Sequence, residues 1–169
     1  MGLIQVNTTT ITSATKTANL ALTGINSNNP YLFAFSNMNV EADITVAFRF
    51  TESGTANTSA NYDYARKQFN SGGSNGFVNG ENQTFINWQV ATSASADVSG
   101  LAYLYNFNDS STYSFCNYQF VQKNVGYSDS NGNAGGAVLT VDSACDGIYL
   151  TTGIGYEINS GTFTLYKVV

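Results

Sequence analysis

A chain of 169 residues has room for one ordinary domain with a real core, and too little for two. Charged residues make up 10% of it and hydrophobic residues 43%; six Lys and Arg stand against eleven Asp and Glu, so the net charge of −5 lacks the cationic surplus that phosphate binding needs. Nucleic acid is therefore not expected as a partner, and with no run of about 18 apolar residues and no basic leader, neither a membrane span nor a signal peptide is expected.

Solubility must come from uncharged polar groups, and 21 Asn, 19 Thr and 17 Ser supply them. In chain order, residues 1–19 come first as an N-terminal arm or an edge strand. Leu3, Ile4 and Val6 form an apolar patch ahead of a Thr-rich stretch. Either residues 8–12 open the sandwich at its edge, or the segment pairs with a neighbouring subunit by strand addition while Leu3, Ile4 and Val6 fill pockets there. Residues 20–169 read as a single β-sandwich domain. Strands are expected at 20–23, then at 31–38 and 43–51, where apolar residues alternate with polar ones, as in Ile44, Val46, Phe48 and Phe50. The short connector between the last two runs predicts that they pair as an antiparallel hairpin.

Further strands are expected at 62–66, 84–90, 98–105, 113–121, 136–141, 147–151 and 162–168. Between them lie turn-rich stretches of Asn, Ser, Gly and Asp, and polar loops at 51–61 and 69–82 should project from one end. Helical periodicity is absent and Pro30 is the one proline. About eleven short strands define an all-β class, a two-sheet antiparallel β-sandwich of jelly-roll type.

Residues that could carry chemistry are few. With no His, a Ser or Cys nucleophile lacks its usual base, and a four-ligand zinc site cannot be built around Cys116 and Cys145 alone. Those cysteines are expected as buried thiols rather than a disulfide. Carboxylate pairs of the glycosidase kind could be drawn from Glu41 with Asp43, Asp142 with Asp146, or Glu52 with Asp63, but each sits beside a turn, where acids are common. A calcium loop starting at Asp129 fails, because Ala134 and Thr140 occupy the positions that need Gly and Glu; a looser set of Asp129, Asn131 and Asn133 competes with a plain Asx-rich turn. Trp88 alternates with Ile86 and Val90 and is expected in the core; the competing reading makes it a sugar platform, with Asp129 and Asn131 bonding hydroxyls. Tyr103 and Tyr105 share a face with Leu101 and are expected to pack. No cofactor, metal or catalytic residue is expected.

Several segments together carry a resemblance. Leu22-Thr23-Gly24-Ile25, the run from Tyr31 to Met38, Asn61-Tyr62-Asp63-Tyr64-Ala65, and the run from Gly100 to Asn106 resemble a widespread group of tailed-bacteriophage virion structural proteins. Asp146-Gly147-Ile148-Tyr149-Leu150 and the final run from Ser160 to Tyr166 are similar to that group's C-terminal strands. The likeness spans residues 20–169 and departs from the group at Glu52-Ser53-Gly54-Thr55. It implies a non-enzymatic protein of the particle surface, assembled in the bacterial cytoplasm. As a capsid decoration or cement-type protein it would be a homotrimer held to the major capsid protein. The alternative is a short tail-fibre or tail-tip module, among tail proteins, that binds host-surface glycan.

Overall fold

The computed structural model describes residues 2–41, 44–73, 75–90, 97–123, 130–153 and 155–169. Thirteen strands and no helix occur among them: β1 (Leu3–Ile11), β2 (Asn19–Thr23), β3 (Tyr31–Val40), β4 (Ile44–Glu52), β5 (Thr55–Ala56), β6 (Tyr62–Asn70), β7 (Gly76–Gln83), β8 (Ile86–Val90), β9 (Val98–Tyr105), β10 (Ser114–Lys123), β11 (Ser130–Leu139), β12 (Gly147–Thr151) and β13 (Ile158–Val168). They form two antiparallel sheets packed as a sandwich, as the alternation predicts. The larger sheet has eight strands in the order β1-β13-β3-β9-β10-β11-β6-β7. The smaller runs β2-β12-β4-β5, with β8 beside β4 as well. β8 and β5 share the edge of β4 that faces away from β12.

Alternation places the core. On β10, Ser114, Cys116, Tyr118, Phe120 and Gln122 are buried while each residue between them is exposed. Trp88 is the hub where the sheets meet. Its ring lies parallel to Phe48 at 4.3 Å and contacts Phe35, Tyr118 and Phe120 of the opposite sheet at 5.3–5.7 Å. Tyr62 closes one end of this aromatic core; its hydroxyl accepts from the Phe50 amide at 3.0 Å and donates to the Asn57 carbonyl.

Three expectations are corrected. β3 and β4 do not form a hairpin: they belong to different sheets and face each other across the core, with the rings of Phe33 and Phe48 6.3 Å apart. Both runs carry apolar faces, and the smaller sheet needs one of them to cover the larger. The expected polar loop at 69–82 is mostly β7, which pairs with β6, and the loop at 51–61 contains the two-residue β5. Edge strands need no second apolar face, so a polar sequence such as that of β7 forms a strand through backbone bonding alone. Finally, Leu101, Tyr103 and Tyr105 point away from the core, which on β9 is filled by Ala102 and Leu104 instead.

Candidate functional site

The outer face of the eight-stranded sheet carries the site, and strand register builds it. Cross-strand partners line up as Phe77, Lys67, Ala134, Gln119 and Leu101 in one row across β7, β6, β11, β10 and β9. The next row reads Asn79, Ala65, Gly136, Asn117 and Tyr103. β11 lies in the middle, and its outward residues Gly132, Ala134 and Gly136 are all small. Larger side chains on the flanking strands therefore stand as walls above a floor that is almost bare backbone. Gly132 to Gly136 gives the trough a length of about 13 Å by strand rise.

Four depressions open onto this face. The largest has a volume of about 670 Å³; Ala65, Gly136 and Val138 floor it, with Tyr105, Phe115 and Asn117 on one side and Asp63, Asn79 and Glu81 on the other. Two of the others share Ala134 with Gln119 and Leu101, and a third lies between Lys67, Phe77 and Ala134. Rings are unusually open here. Phe77 is 80% exposed, and Phe69 and Phe115 are also exposed. Lys67 extends between Phe69 and Phe77 with its ammonium 5.4 and 5.3 Å from the two ring centres, which holds that cation on the wall. Tyr103 and Tyr105 stack at 6.4 Å, and the Tyr105 hydroxyl donates to Asn117 Oδ1 at 3.4 Å.

The residues singled out from the sequence go elsewhere. Trp88 is fully buried, so no ring face remains for a sugar and the platform reading of this residue is corrected. Asn131 and Asn133 lie in β11 rather than in a turn, with their side chains turned inward and buried, because period two assigns them the face opposite to Gly132 and Ala134. They stand among other buried polar groups. Arg66 donates to Asn133 Oδ1, and burial lowers the pKa of its guanidinium. Gln122, in line with Asn131 across the β10–β11 pair, is buried, and among the described residues neither of its amide atoms is hydrogen-bonded. Asp129 and Asp43 lie outside the described residues. Leu3 and Ile4 are 51% and 54% exposed on β1, while Val6 packs against the core edge.

Of the acids considered as pairs, Asp146, Glu52 and Asp63 act as acceptors that hold loops. Asp146 accepts from the Thr51 hydroxyl at 2.6 Å and from the Gly54 amide at 2.8 Å. Glu52 Oε1 accepts from Asn57 at 2.7 Å and Ser143 at 2.9 Å, and Asp63 Oδ1 accepts from the Asn82 amide at 2.8 Å. Among the described residues, no three His, Cys, Asp or Glu side chains gather to hold a metal, and no helix is long and apolar enough to cross a membrane.

Cys116 and Cys145 are free and buried. Burial pushes the Cys116 thiol up from 9.0 to about 12. Burial also raises Cys145, against hydrogen bonds from Ser114 and Ser143 that lower it. A raised thiol keeps in the folded state a proton that the unfolded chain releases. Its contribution to stability is thus complete below about pH 9 and is lost as pH climbs toward 12. Denaturant midpoints are expected to fall through this range, less steeply for Cys116→Ala, and reductant should leave the melting temperature unchanged at neutral pH. An equally steep fall in the parent and in Cys116→Ala between pH 9 and 12 would show that the thiol titrates as in water.

Compared with known proteins, the chain matches no family model, no curated protein and no solved structure. Sequence reasoning missed the trough, although one signal was present: Gly132, Ala134 and Gly136 are small residues at every second position.

Proposed function

We propose that this chain is a non-enzymatic structural protein of a tailed-bacteriophage virion: a decoration or cement-type subunit of the particle surface that forms a homotrimer on the major capsid protein. Strand order is the observation that carries this reading. The run β1-β13-β3-β9 in one sheet and β2-β12-β4-β8 in the other follow the order of a jelly roll, in which two Greek keys interlock. That is the fold implied by the phage-protein resemblance. The hairpins β6–β7 and β10–β11 then read as insertions that widen one sheet, the sheet bearing the trough.

The free edge of β1 supports the contact expected on a particle. Among the described residues β1 ends the sheet order with one side of its backbone open to strand addition, and Leu3 and Ile4 are exposed beside it. A second reading, a tail-fibre or tail-tip module that binds host glycan, is favoured by the ring-lined trough. Mass spectrometry and image reconstruction of purified virions test both readings. The expected result is the chain at threefold or quasi-threefold positions of the head; a few copies on the tail select the second reading. Absence of the chain from the particles would overturn the proposal.

A further inference from the structure

We infer that the trough along β11 is a binding site for a linear, uncharged glycan. The inference rests on the proposed role only in taking the outer face of the eight-stranded sheet as exposed on the particle, and it applies to head and tail positions alike.

Shape comes first. A flat sheet face suits a flat partner, but here three small outward residues in succession lower the floor along one strand direction, between walls one and two strands away on each side. A narrow chain of rings fits such a trough better than a protein surface does. Chemistry comes second. Sugars present apolar C–H faces that stack on aromatic rings and hydroxyl rims that both donate and accept hydrogen bonds. The walls offer both complements: the stacked Tyr103 and Tyr105 with Phe115 and the amides of Asn117 and Gln119 on one side, and Phe77 with the amide of Asn79 on the other. A few placed polar groups within a largely apolar lining is the usual composition of a small-molecule site.

Charge comes third. Among the outward-facing residues that line the depressions, the cation is Lys67, and it is held over two rings. Asp63 and Glu81 stand at the end where the largest depression opens. Carboxylates accept hydrogen bonds from the hydroxyls of a neutral sugar and repel phosphate, sulfate or sialate groups, so the site selects against anionic glycans.

The test uses the purified chain and a panel of neutral oligosaccharides of glucose, galactose, mannose and N-acetylglucosamine, with sialylated and sulfated oligosaccharides as charged controls. Binding is read by calorimetry and by amide chemical shifts. We expect at least one neutral oligosaccharide to bind, with shifts on β9, β10, β11 and β6 and none on β2 or β12. Ala134→Phe and Gly132→Leu fill the trough from its floor; an added Cβ at Gly132 meets nothing closer than 4.0 Å, so the fold should accept the larger side chain. Both should weaken binding at least tenfold without lowering the melting temperature, and Tyr103→Ala should weaken it through loss of a ring.

Four results would overturn the inference: no response to any neutral sugar; preference for the charged controls; binding that survives both filled variants; or concentration-dependent self-association abolished by Ala134→Phe, which would make this face a contact between copies. The virion assay is independent of all four. A chain found on particles that binds no sugar loses only this inference, and one that binds sugar but is absent from particles loses only the proposed role.

Discussion

Phe48→Ala is expected to destabilise the protein by about 3–5 kcal/mol, the usual cost of removing a buried aromatic ring from a packed core. Phe48 is fully buried on the inner face of β4, its ring parallel to Trp88 at 4.3 Å and edge-on to Phe50 at 5.9 Å. Truncation leaves a cavity where the sheets meet, and Trp88 loses the partner that its flat face covers. The outward neighbour Thr45 is exposed on the same strand, and Thr45→Ala should cost less than about 1 kcal/mol. Chemical denaturation of the two variants measures both numbers. Equal losses would mean that the inward and outward faces of β4 are assigned wrongly.

Gly147→Ala is expected to cost at least about 2–3 kcal/mol although it adds a single methyl group. Gly147 opens β12 between β2 and β4, where it is paired with Thr23 on one side and Thr51 on the other. A Cβ there would sit 2.2 Å from the Leu22 carbonyl oxygen and 2.8 Å from the Thr23 Cα, so two backbones must move apart. The neighbouring Asp146 makes the movement costly. Its carbonyl accepts from the amides of Gly24 and Ile25, its amide donates to the Thr51 carbonyl, and its carboxylate holds Thr51 and Gly54. Gly132→Ala is the matched comparison: its new methyl group meets nothing closer than 4.0 Å and should be neutral or stabilising by up to about 1 kcal/mol. A melting temperature for Gly147→Ala within a degree of the parent would show that β2 and β4 can spread freely there.

Both predictions rest on features that differ in how far the sequence reveals them. Phe48 is legible, because Ile44, Val46, Phe48 and Phe50 repeat with period two and the larger residues must face the core. Gly147 is not, because its neighbours Leu22 and Thr51 are distant in sequence and meet it only through pairing of β12 with two strands. The same contrast runs through the site. Trp88 was readable as core from its alternation with Ile86, whereas Asn131 looked like part of a turn until its pairing with Asn70 and Gln122 placed it inside a strand.

Composition and period two by themselves determined the all-β class, most of the strands and the inward face of many of them. These properties depend on each residue's own side chain and its neighbours two positions away. Tertiary structure decided which strands share a sheet. Alternation assigns a face to β3 and to β4 but says nothing of whether those faces lie side by side or opposite, since either arrangement buries them. It decided that polar β7 is a strand, because backbone bonds to β6 stand in for an apolar face. It also made the trough: three small residues on β11 become a floor only when register sets Ala65 beside Gly136 and raises the rings of β9, β10 and β7 around them. Register is a relation between distant segments, and no local pattern encodes it.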